Sequence, residues 1–228
     1  MSDPAKPESN VDRITAQLRR MAAEFVIKPD ERIREGEMAA RLSVSRTPLR
    51  EALNRLVSEG FLTFTSGQGF FCRSLTPDRI LDLYEARAAV ECEAMRLAIA
   101  RATDTDISAL KADLDRSEPL YETATDRIAL LEMDEAFHMA LTRMSHNAEL
   151  ANMLTNINGR IRYVRMIGLD MDRSEPRRMT AHRAILDALA ARDQARALYT
   201  LRAHIELRKE DATRAVRDAF SHIYVQAS

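Results

Sequence analysis

From Thr76-Pro77 to its end the chain repeats apolar residues at three- and four-residue spacing, with few glycines and few strand candidates to break the pattern. A stretch of that period can only bury its stripes by packing helix against helix. Spacing and start signals at Thr76-Pro77, Asp104, Asp126 and Asp193 predict helices near 77–102, 104–121, 125–145, 147–168, 176–191 and 193–220. Short connections make an antiparallel bundle of six to seven helices the economical arrangement.

The first 75 residues read differently. Ile14, Leu18, Met21 and Phe25 put one apolar face on a helix over Val11–Val26, which Lys28-Pro29-Asp30 should end. A short helix fits Gly36–Leu42, Ser43-Val44-Ser45 makes a turn, and a third helix runs from an N-cap at Ser45 to about Glu59, closed by Gly60. Two aromatic runs, Phe61–Thr65 and Phe70–Cys72, flank the loop Ser66-Gly67-Gln68-Gly69 and read as a hairpin. Helix, helix, turn, helix and hairpin spell a winged helix-turn-helix over 11–75, and 76–228 forms a second, all-helical domain. The fold class is therefore mainly α with a small β wing, and residues 1–10 read as a disordered lead-in.

Composition excludes several classes. No apolar run approaches the roughly 18 residues of a membrane span, and Met1–Asn10 lacks the apolar core of a signal peptide. Two cysteines, Cys72 and Cys92, suit a reducing cytoplasm better than a disulfide framework. Residues 1–75 carry 12 Lys/Arg against 10 Asp/Glu, and 76–228 carry 22 against 25, so placement rather than net charge has to argue for a nucleic-acid partner.

Placement does argue for it. On the third helix Leu49, Ala52, Leu53 and Leu56 form a buried stripe, while Arg46, Arg50 and Asn54 share another face beside Thr47. Arginine forks suit guanine or phosphate, Ser45 or Thr47 hydroxyls suit the backbone, and the helix N-terminus offers N–H groups to a phosphate. A merely solvated basic face is the alternative. The run Val44-Ser45-Arg46-Thr47-Pro48-Leu49-Arg50-Glu51-Ala52-Leu53, with Arg32–Ala39 before it and Glu59-Gly60-Phe61-Leu62 after, resembles the GntR family of regulators. The resemblance implies that Arg46, Thr47 and Arg50 contact double-stranded operator DNA. Arg34 and Ser45 join that expected set, and Gly67 is expected at the wing tip near the minor groove. The wing lacks the basic or His residue that some relatives use, and Asp30-Glu31 replaces a usual Pro-Gly pair.

In the second domain Asp134 and His138 stand four apart on one helix face, and His182 and His204 lie on the apolar stripes of two other helices. Each histidine alone could be a satisfied core residue. Together, three imidazoles and a carboxylate suit Zn²⁺ first, or Ni²⁺ or Mn²⁺, with a coordination position left open. His146 and His222 look like bystanders. The segments Asp134-Glu135-Ala136-Phe137-His138, Ala181–Leu189 and Arg202-Ala203-His204-Ile205 are similar to the FCD sensor domain of the FadR-type GntR branch, and the resemblance implies that these four residues bind a divalent metal.

The first helix of this domain carries Ile80, Leu83, Tyr84, Val90, Met95 and Leu97, yet Arg87 and Glu91 share a face with Tyr84 and Met95. A buried guanidinium needs a counter-charge. Either Arg87 pairs with Glu91, or it holds the carboxylate of a small effector whose other oxygen reaches the metal. The expectation is a metabolite-responsive repressor of a catabolic operon, a homodimer on a palindromic site, and not an enzyme. A metal-dependent hydrolase using the same four residues is the main alternative, and an architectural DNA binder the second.

Overall fold

The computed structural model describes residues 9–24, 26–123, 126–171 and 175–225, in two compact units that meet between Leu75 and Thr76. Phe25, expected on the first helix stripe, and residues 1–8 of the expected lead-in lie outside the described residues.

In the first unit, α1 (Asn10–Ala23) starts at a capping box in which Ser9 and Asp12 bond reciprocally. It ends earlier than the spacing predicts. The Ile27 amide bonds back to the Met21 carbonyl, so the chain turns and buries Ile27 instead of extending the helix. Next come β1 (Arg32–Ile33), α2 (Glu35–Arg41), α3 (Arg46–Ser58), β2 (Leu62–Thr65) and β3 (Gly69–Cys72). Ser43 bridges α2 and α3 in the left-handed region, φ 54°.

The wing is a three-stranded antiparallel sheet in the order β1-β3-β2, not a bare hairpin. Ile33 pairs with Phe70 on one side of β3, and Leu62 pairs with Cys72 on the other. Ile14, Leu18, Leu49, Leu53, Leu56, Leu62 and Phe70 build one core beneath it. Arg19 forks onto Glu59 at 2.7–3.0 Å and Arg55 reaches Asp12 at 2.6 Å, tying α1 to the far end of α3.

The second unit holds α4 (Pro77–Arg101), α5 (Asp104–Thr123), α6 (Arg127–Arg143), α7 (Ala148–Met171), α8 (Glu175–Ala190) and α9 (Gln194–Val225). These six helices pack as a bundle, with α4 against α9, α7 and α6. Thr76 caps α4, Asp126 caps α6 and Asp193 caps the start of α9. At α5 the reciprocal cap comes from Thr103 and Asp106 rather than from Asp104. Among the described residues no helix is long and apolar enough to cross a membrane.

Candidate functional site

The bundle brings three of its helices to one point. Asp134 and His138 of α6, His182 of α8 and His204 of α9 are all buried, and one ligand atom from each lies within 4.8 Å of the others. Ligand atoms about 2.1 Å from a shared ion stand about 3–4 Å apart. The separations here match: 3.2 Å between the Nε2 atoms of His138 and His204, 3.4 Å from His182 Nε2 to Asp134 Oδ1, and 3.9 Å from His138 Nε2 to Asp134 Oδ2.

Protonation suits a cation as well. Burial pushes His182 down, which Asp134 only partly opposes, and burial with the neighbouring histidines holds His204 well below the usual range. Burial alone would raise Asp134, but Arg165 beside it, with His182 and His138, outweighs that and keeps the carboxyl well below its ordinary value. Neutral imidazoles and an ionised carboxylate are the forms that ligate a metal. Neither ring nitrogen of His182 has a hydrogen-bond partner in the protein, so this donor set fits a metal ion better than it fits a self-satisfied polar core.

Of the surrounding residues the sequence marks Arg87 and Glu91 on one face of the first sensor helix, but not their contact with the four-residue cluster. Glu91 of α4 accepts from His138 Nδ1 at 2.6 Å and from Arg87 Nε at 2.5 Å. A carboxylate only accepts, so His138 carries a proton on Nδ1 and turns Nε2 toward His204. Burial would raise Glu91, yet Arg87 and His138 together hold it at about 2. Arg165 of α7 grips Asp134 and reaches Glu135 at 3.3 Å. Phe137 stacks on the His182 ring, centroids 4.1 Å apart, and sets its plane. A carboxylate four residues after Arg87 was a visible signal, but nothing in the spacing attached it to His138, 47 positions away.

Arg87 thus does pair with Glu91, and it also has more to give. Its side chain is 1% exposed, and Nη2 has no hydrogen-bond partner in the protein. Of the bystanders, His146 sits in the α6–α7 turn at φ 48°, apart from the four-residue cluster. The side chain of His222 lies outside the described residues.

On the first unit, Ser45, Arg46, Thr47, Arg50 and Asn54 are all exposed along one side and the N-terminus of α3, away from the buried Leu49, Leu53 and Leu56. Ser45 occupies the N-cap position, but its side chain makes no capping bond, so the expected cap is positional only. The first-turn N–H groups of α3 therefore lack that side-chain acceptor. Arg46 lies over Gly36, 3.7 Å from where a Cβ would stand. Arg50 bridges to Glu35 at 3.1 Å and Arg34 to Glu37 at 3.0 Å, both on the surface. Gly67 is exposed at φ 76° at the tip between β2 and β3, with no atom close to its missing Cβ.

Comparison with known proteins follows the same division. The family "Bacterial regulatory proteins, gntR family" matches residues 10–72, and the FCD domain matches residues 82–207. The chain is 40% identical to the Nta operon transcriptional regulator of Aminobacter aminovorans, over 91% of this chain and 97% of that protein. It is 30% identical to the HTH-type transcriptional repressor GlaR of Escherichia coli, over 78% and 84% respectively. Among solved structures, E. coli McbR/YncC superposes with a TM-score of 0.69 at 22% identity, covering 96% of this chain and 99% of that one. A GntR family member from Pseudomonas syringae gives 0.56 at 21% identity, covering 93% and 88%. At such identities the two structures speak for the fold alone.

Proposed function

The chain belongs to the gntR family of bacterial regulatory proteins, with an FCD domain behind its winged helix-turn-helix, and we propose that it is a metal-dependent, carboxylate-responsive repressor. That it is a DNA-binding transcription regulator, like its relatives, follows from membership; those families and relatives are regulators and not enzymes. The four-residue cluster therefore serves binding rather than hydrolysis.

The charge balance at the bundle centre carries the effector reading. Arg87 and Arg165 offset Glu91 and Asp134, with side chains no more than 8% exposed, and burial disfavours the charged forms of His182 and His204. A divalent cation held by Asp134, His138, His182 and His204, with Zn²⁺ first and Ni²⁺ or Mn²⁺ as alternatives, would leave two positive charges unbalanced in a dry interior. Such a charge is costly there. A small carboxylate offsets one of these charges, and the unspent Nη2 of Arg87 supplies a donor for one of its oxygens. The bound ion would supply electrostatic attraction for the other oxygen.

DNA reading falls to Arg46, Thr47 and Arg50 on α3, with Arg34 and Ser45 on the phosphate backbone and the Gly67 tip beside the minor groove. One helix reads few base pairs, so a homodimer on an inverted repeat doubles the information. Only Arg73–Thr76 separate β3 from α4, so a shift of α4 on effector binding is delivered to the reading head through a short linker. The effector then releases DNA, because free energy spent on moving the heads is lost from operator binding. The regulated genes form a catabolic operon, and the site of action is the cytoplasm.

Fluorescence anisotropy of metal-loaded protein on an inverted-repeat operator, titrated with mono-, di- and tricarboxylates, tests this. We expect one class to release DNA from the native protein and none to release it from Arg87→Ala at the same concentration. An Arg87→Ala protein that still responds would reduce Arg87 to the partner of Glu91.

A further inference from the structure

Every sensor helix except α5 gives a side chain to the buried cluster of charged residues and histidines. Helix α5 instead closes a separate feature, a partly open cavity of about 130 Å³ between itself, α6 and α8. Leu110, Leu114, Met133 and Phe137 make its wall mainly apolar. Its volume is close to that of an engineered apolar cavity, about 150 Å³, that takes up benzene. His182 is the one fully buried polar residue in the lining, and its Nδ1 has no hydrogen-bond partner in the protein.

The His182 ring cannot easily turn to find a partner. Phe137 stacks on it, and Nε2 already faces Asp134 at 3.4 Å. An unpaired buried polar atom is costly, so a hydrogen-bonding group brought into the cavity is favoured. The other polar groups of the lining restrict what that group belongs to. Ser117 donates its hydroxyl to the Leu114 carbonyl, and Asp113 is ion-paired with Arg116. The lining offers no Lys or Arg to an anion, and the apolar wall disfavours a cation.

We propose that this cavity is a second small-molecule site, distinct from the charged centre, for a compact, neutral, largely apolar molecule with one hydroxyl group. Its hydroxyl pairs with His182 Nδ1, donating to the bare nitrogen or accepting from N–H, so the two sites share one imidazole ring. The occupant is about the size of phenol.

Phenol, benzene and benzoate therefore serve as probes on the full chain, with binding followed by ligand-observed saturation-transfer NMR. Phenol is expected to bind saturably, benzene roughly fivefold more weakly for want of the hydroxyl, and benzoate not to displace phenol. Ala136 is exposed and Ala140 half-exposed on α6, so Ala136→Leu and Ala140→Leu can fill the cavity without overpacking a closed core. Both variants should lose phenol binding while keeping wild-type affinity for DNA. Chelator-stripped protein should still bind phenol, which separates this site from the metal reading above. No saturable phenol binding to the native chain would mean that the cavity holds only water, and unchanged binding in both filled variants would place the phenol elsewhere; either result overturns the proposal.

Discussion

Glu91 is the residue on which the buried centre depends most. It spends one oxygen on Arg87 and the other on His138, so its loss leaves a buried guanidinium unpaired and a histidine free to rotate. Glu91→Gln should cost on the order of 3 kcal/mol at pH 7, read by urea denaturation, and should weaken metal retention as well. The pH dependence has a definite sign. The folded carboxyl lies at about 2 against an ordinary 4.5, so its stabilisation is complete above about pH 4.5 and disappears as the pH falls toward 2. The stability gap between native protein and Glu91→Gln should therefore narrow through that interval; a constant gap would remove Glu91 ionisation from the balance. Cys72 and Cys92 give no such handle, because burial pushes Cys72 up to about 11 and raises Cys92 too, leaving both as inert thiols.

At the scale of an element, α3 carries two demands on opposite faces. Leu49, Leu53 and Leu56 are fully buried, and Leu53→Ala should cost about 2–5 kcal/mol of stability in the first unit. Arg46 and Arg50 face solvent, and their alanine variants should fold normally yet lose about 1–3 kcal/mol of operator preference in anisotropy titrations. Glu35 adds a finer test, since it holds Arg50 in a surface pair at 3.1 Å. Exposed pairs contribute about 0–1 kcal/mol and exchange readily for phosphate. Glu35→Ala should raise DNA affinity modestly, most at low salt; weaker binding would mean that Glu35 positions Arg50 for the groove instead of competing for it.

For the whole molecule, the division between Leu75 and Thr76 gives each unit its own core, so a ligand of one need not stabilise the other. A metal at a thousandfold excess over its Kd adds about 4 kcal/mol to the state that binds it, equivalent to roughly 8–16 °C in a unit of this size. Chelation, or His204→Ala, should lower the melting of the helical unit by that order and leave the winged unit nearly unmoved in calorimetry. If elemental analysis of protein purified without chelator finds no metal, the four-residue cluster is a polar core and nothing more. Sedimentation of the operator complex should give two chains per inverted repeat, and one chain per site would dismiss the symmetric reading.

The local content of the chain was largely legible from its order of residues. Helix starts at Thr76, Asp126 and Asp193 depend on a cap bonding within a few positions, and apolar stripes depend on a period, both written in consecutive residues. The same holds for the α3 signature and for Asp134 and His138, one turn apart on α6. What the order did not contain was decided by packing. Strand β1 is two residues long and exists because Ile33 meets Phe70, 37 positions later, which no periodicity can announce. Glu91 with His138, Arg165 with Asp134, and Phe137 stacked under His182 all depend on how helices are rotated against one another. Local rules set which face of a helix is apolar, but only the packed bundle determines which polar group on that face meets which, because a buried charge takes its partner from whatever helix the core brings within reach.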